Sequence, residues 1–152
     1  MWFMNNIANP FVRLILLSPF YRLLGASLLL ISYRGRKSGK EYTLPVQYAQ
    51  AGNHIYIVPG MPEKKIWWHN LKGGAQVRVT LAGQNVAANG RLLEQESEAE
   101  TLVNGLDLYL QRFPALAKSF QVRSDAAGHF NVADLRAASA RLVMIRVELS
   151  QK

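Results

Sequence analysis

Arg34-Gly35-Arg36-Lys37-Ser38-Gly39-Lys40 places four cations, two glycines and a hydroxyl in seven consecutive residues. Glycine lets backbone N–H groups converge on an anion, the serine adds a donor, and the cations supply field and direct contacts to phosphate or carboxylate oxygens. The chemistry this stretch can do is anion binding. It is not a Walker loop, because the spacing and the helix-opening Lys-Ser/Thr are wrong. The competing reading of the same composition is a solvated hairpin turn, since basic turns are common on surfaces.

The second block is Pro59-Gly60-Met61-Pro62-Glu63-Lys64-Lys65-Ile66-Trp67-Trp68-His69-Asn70-Leu71. Adjacent tryptophans on a short helix point about 100° apart, so one can enter the core while the other lines a cleft. Asn70 can hydrogen-bond backbone or ligand amides; both rings filling the core is the plainer alternative.

Other chemistry finds less footing. His54, His69 and His129 lack ligand spacing, so no metal site is expected. Ser38 lies in a basic turn and not in a Gly-x-Ser-x-Gly elbow, which argues against a serine hydrolase. Glu94, Glu96, Glu98 and Glu100 read as a solvated face at a helix start rather than as paired catalytic carboxylates. With no cysteine, disulfides, thiolate nucleophiles and cysteine-ligated metals are excluded.

These blocks need elements to hold them. Leu28 to Tyr33 and the alternating run Tyr42 to Gln50 predict a hairpin around the cationic turn, with Pro45 marking an edge or a bulge. His54 to Val58, Gln76 to Leu81, Asn85 to Leu93 and Leu142 to Leu149 supply four more strands, and Ile66 to Leu71 two helical turns. Ser97 with Glu100 forms a capping box for a helix carrying Leu102, Leu106, Leu110 and Phe113 and stopped by Pro114. Lys118 to Ala140 reads as loop plus a short helix. Six closely spaced strands without regular strand–helix alternation argue for an antiparallel barrel or an α+β arrangement, mainly β.

The 152 residues, 49% apolar and 18% charged, suit one domain over 1–152: an N-terminal helical segment (1–25), barrel strands with the site (26–95), and a helix, loop and closing strand (96–152). The net charge of +8 is uneven. Residues 1–80 carry ten cations against Glu41 and Glu63, while 81–152 balance. That asymmetry suggests an anionic partner for the first half, with a solubility charge as the alternative. Arg13, Pro19 and Arg22 interrupt the apolar start, so neither a membrane span nor an export signal is expected, and the cytoplasm is the expected location. Helices opened by Pro10 and by Ser18 with Pro19 are expected there. Peripheral membrane contact through Trp2, Phe3 and Phe11 is the alternative use of this segment.

Gly35-Arg36-Lys37-Ser38-Gly39-Lys40, then Leu44-Pro45-Val46-Gln47-Tyr48, then Trp67-Trp68-His69-Asn70-Leu71 together resemble the deazaflavin-dependent nitroreductase and quinone reductase family, over roughly residues 5–95. The resemblance implies a six-stranded split β-barrel with an N-terminal helix and a helix inserted before the last strand. It also implies reduced coenzyme F-420, an 8-hydroxy-5-deazaflavin with a phospholactyl-oligoglutamate tail, with FMN as the alternative cofactor. Arg36, Lys37, Ser38 and Gly39 would hold phosphate and tail, Pro45, Val46 and Gln47 would lie along the ring, and Trp68 and Asn70 would close the site. Where many members have Ser-Lys-Gly-Gly after the third strand, this chain has Ile57-Val58-Pro59-Gly60, so Lys64 or Lys65 would replace the lysine contact. Val122 to Ala140 matches poorly. The implied reaction is hydride transfer to a quinone, nitroaromatic or similar conjugated acceptor, with Tyr48, Tyr109 or water giving the proton. A homodimer is kept open. The readings from other classes are an FMN-, haem- or lipid-binding split barrel without catalysis and a basic barrel for single-stranded nucleic acid; the clustering of the cations in one turn disfavours nucleic acid.

Overall fold

The structure is a computed structural model, described here for residues 27–150. The expected N-terminal helices and the Trp2, Phe3 and Phe11 contact lie outside the described residues.

Seven strands form one antiparallel sheet: β1 (Leu28–Arg34), β2 (Glu41–Gln47), β3 (Ala49–Ala51), β4 (His54–Ile57), β5 (Ala75–Leu81), β6 (Gln84–Leu92) and β7 (Ile145–Leu149). Their order across the sheet is β2-β1-β5-β6-β7-β4-β3. The edge strands β2 and β3 are separated in the chain by Tyr48 alone, so one bent segment forms both edges and the sheet must curl into a half-barrel. The Tyr48 amide donates to the carbonyl of Ser27 at 3.3 Å across this corner. Here the expected single strand Tyr42 to Gln50 is corrected to two, and six strands to seven. Pro45 sits on β2 opposite Leu30, and β2 pairs with β1 alone among the described strands, the edge position at which a residue without an N–H is tolerated.

Alternation divides the residues between two cores. Leu29, Ile31 and Tyr33 of β1, Val77 and Val79 of β5, Ile55 and Ile57 of β4, and Ile145 and Val147 of β7 fill the inside of the curl. On the outer side, Tyr56, Val58 and Met144 pack under α1 (Ala99–Arg112) and α2 (Val132–Ser139), which lie between β6 and β7 in the chain. At Gly105 a Cβ would lie 2.7 Å from the Met144 sulfur and 2.8 Å from the Tyr56 ring, so glycine is what lets α1 sit this close.

The capping box is also corrected. Helix α1 begins at Ala99 with Glu98 at its N-cap, where the Glu98 side chain makes no capping hydrogen bond. Glu98 is instead engaged by both terminal nitrogens of Arg91 and by the Glu94 amide, and the Ser97 hydroxyl donates to Glu94 at 3.2 Å. The charged pair outcompetes the neutral cap. Glu98, only 18% exposed, therefore leaves the expected solvated acidic face. The closing strand begins at Ile145, after the fully buried Met144.

Candidate functional site

The cationic stretch is the tight connection between β1 and β2. The Gly35 amide donates to the carbonyl of Lys40 (2.8 Å) and the Gly39 amide to that of Gly35 (2.9 Å), with Gly39 in the left-handed region at φ 71°. A Cβ on Gly35 would stand 2.8 Å from the Ser38 hydroxyl and 3.0 Å from the Tyr42 ring, so a larger residue would force one of these side chains to move. The Ser38 hydroxyl accepts from the Lys40 amide at 3.2 Å and lies 3.3 Å from the Tyr42 hydroxyl. The Arg36 amide donates to Asn70 Oδ1 at 2.8 Å. With Gly35, Arg36, Gly39 and Lys40 engaged within the protein, the N–H groups of Lys37 and Ser38 are the two in the turn without a partner among the described residues.

Leu71, fully buried, anchors a 3-10 helix over Trp67–Leu71 at the foot of this turn. The Asn70 amide nitrogen donates to the Trp67 carbonyl at 2.8 Å while its oxygen holds Arg36. The sequence blocks around residues 36 and 70 thus meet in one cleft of about 720 Å³. Its apolar wall is aromatic: Tyr33 stacks on Tyr42 (5.7 Å between ring centres, 25° between planes) and packs against Trp67 (5.8 Å, 37°). Its cations are Arg36, Lys37 and Lys72, and among the described residues no carboxylate lines it. Burial pushes the Tyr33 hydroxyl up from its ordinary value, and the neighbouring Tyr42 adds to this.

Of the residues singled out in the sequence, the cleft gathers Arg36, Lys37 and Asn70. Ser38 and Gly39 shape the turn behind it. Pro45 and Val46 are half-buried and Gln47 is exposed along the free edge of β2. After β4, Val58 is half-buried, Pro59 buried and Gly60 exposed. The segment that follows β4 reaches the β1–β2 turn at Asn70. Lys64 is exposed in the turn after Met61 and does not line the cleft. Trp68 does not line it either. Its indole N–H donates to the Pro62 carbonyl (3.1 Å), its ring stacks on His69 at 3.8 Å, and Lys72 Nζ lies 5.6 Å from it.

Tyr48 and Tyr109 are buried, 8% and 3% exposed, and neither lines the cleft. Burial raises both hydroxyls, that of Tyr109 to about 12; for Tyr48 the Arg112 charge opposes the rise. The sequence reading missed Tyr33, Tyr42 and Lys72. The signal for the tyrosines was present: they stand equally far from the turn, and the hairpin register pairs them. Among the described residues no group of three His, Asp or Glu could hold a metal ion, and no helix is long and apolar enough to cross a membrane.

A curled antiparallel sheet with an edge strand, β2, unpaired on one side among the described residues, and a cation-lined aromatic cleft beside it, define a protein of the split-barrel class. The chain belongs to the F420H(2)-dependent quinone reductase family, an oxidoreductase family whose sequence model matches residues 19–113. That family points to F-420 and gives no support to FMN. Solved structures agree on the fold. An F420-H2-dependent reductase, FDR-A, superposes with a TM-score of 0.55 at 19% identity, covering 80% of this chain and 94% of that one. A protein solved as a domain-swapped dimer gives 0.56 at 20% identity, covering 80% of each chain. A Bacteroides thetaiotaomicron protein proposed to give resistance to 5-nitroimidazole antibiotics gives 0.52 at 17%, covering 85% of this chain and 76% of that one. Comparison by sequence with curated proteins gives no match.

Proposed function

We propose that this protein binds reduced coenzyme F-420 between the β2 edge and segment 58–71 and reduces a quinone, nitroaromatic or similar conjugated acceptor. The observation that carries this reading is the Arg36–Asn70 hydrogen bond, which joins the cationic turn to an aromatic wall in a cleft lined by no carboxylate among the described residues. A phosphorylated, carboxylated tail needs that donor set. Arg36, Lys37 and Lys72 supply charge, and the amides of Lys37 and Ser38, which have no partner among the described residues, supply directed donors. Pro45, Val46 and Gln47 offer the coenzyme ring a strand edge whose alternate backbone groups face away from β1, and Pro59 and Gly60 are the further backbone we assign to the ring.

When bound, the reduced ring supplies the hydride, and the protein orients it. No side chain has to act as a nucleophile. Water is the proton source most consistent with the burial of Tyr48 and Tyr109. The domain-swapped relative makes a homodimer the oligomeric state to test by light scattering.

The deciding experiment is fluorescence titration of the protein with oxidised F-420, using an oligonucleotide as the control anion. Replacing Arg36 and Lys37 together by alanine removes two charge-assisted contacts and is expected to weaken binding about 100-fold, with a smaller dependence on salt. Equal affinity in the double variant overturns the site.

A further inference from the structure

Asn70 carries two hydrogen bonds of opposite direction from one half-buried amide. Its oxygen accepts from the Arg36 backbone, 34 residues away, and its nitrogen donates to Trp67 within its own helical turn. We infer that Asn70 is a positioning residue: it clasps the cationic turn against the 3-10 helix and so presents the Lys37 and Ser38 amides and the Arg36 and Lys37 side chains to an anion, without needing to touch the ligand. This rests on the proposed coenzyme reading for its functional consequence, but the clasp itself is a property of the free protein.

The helical turn is a firm base for such a clasp. Leu71 is fully buried below it, Trp67 packs against Tyr33, and the Trp68 indole ties it to Pro62. The cationic turn, by contrast, has Arg36 to Lys40 exposed. Four of its amides are engaged, and the Arg36 amide is the one held from outside the turn. Removing the Asn70 oxygen frees the Arg36 backbone, and an anion must then order the turn as it binds. That loss is independent of charge, because every cation stays in place.

Amide hydrogen exchange in the free protein and titration with oxidised F-420 test this together. Asn70→Ala should speed exchange of the Arg36 amide about tenfold and weaken the coenzyme about tenfold at every salt concentration, leaving the salt dependence as in the wild type. Asn70→Asp, which keeps an acceptor for Arg36, should retain the slow exchange. Unchanged exchange in Asn70→Ala overturns the clasp, whether or not affinity falls, because a fall without faster exchange assigns Asn70 to direct ligand contact. Faster exchange with wild-type affinity overturns its role in binding. A wild-type protein that binds no F-420 defeats the coenzyme reading, while the exchange rates still decide the clasp.

Discussion

Tyr109 packs α1 rather than facing the cleft: it is 3% exposed, its ring lies 5.1 Å from that of Phe113, and burial lifts its hydroxyl to about 12. A general acid works best with a pKa near the working pH, so a phenol this reluctant to ionise is a poor proton donor at neutrality. Tyr109→Phe is therefore expected to keep F-420-dependent reduction of menadione within about twofold of wild type, with stability changed by no more than ~1 kcal/mol. A hundredfold loss of turnover with folding intact would restore it as the donor. At this scale the sequence revealed which residue types matter better than where they point. The two cationic side chains and Asn70 were readable because charge and amide chemistry survive any fold. The choice between Trp67 and Trp68 was not, because adjacent aromatics on a short helix differ only in what tertiary packing offers each: Tyr33 for one, the Pro62 carbonyl for the other.

Among the elements, α1 shows how one ion pair can move a boundary. Ser97 and Glu100 have the spacing of a capping box, yet Arg91 on β6 draws Glu98 down and the helix starts at Ala99. Hydrogen bonding from Arg91 holds the Glu98 carboxyl well below its ordinary 4.5, at about 2. Taken whole, that shift corresponds to about 3 kcal/mol. Arg91 is 34% exposed, and solvent screening reduces the figure to about 1–2 kcal/mol. A carboxylate with a depressed folded pKa stabilises fully above its unfolded value, so this contribution is present at neutrality and fades as the pH falls from about 4.5 toward 2. Glu98→Gln should lower the thermal midpoint at pH 7, and the gap from wild type should close on acidification toward pH 2. A gap that stays constant across that range would show the pair contributes nothing through charge. The split of Tyr42 to Gln50 into β2 and β3 was illegible for a related reason: alternation runs on through Tyr48, and only the closure of the curl makes the chain turn there.

For the whole molecule, the inside of the curl and the layer under the helices share the same strands. Ile55 and Ile57 of β4 face inward while Tyr56 and Val58 face α1, and Met144 lies under the helices just before inward-facing Ile145. Neither core can lose β4 or the start of β7 without exposing the other. The strand periods and the first-half charge excess were legible because each is local. The helix layer's hold on the barrel was not, because it depends on Gly105 meeting residues 49 and 39 positions away. Shared strands predict a single cooperative transition. Trp67 and Trp68 report on the inner core, and far-ultraviolet circular dichroism on α1 and α2. In a Trp2→Phe background, urea curves from tryptophan fluorescence and from helical dichroism should coincide in midpoint and slope. A helix signal lost at lower urea than the fluorescence would mean that the barrel stands without its outer layer, and the helices α1 and α2 would then form a separately unfolding unit.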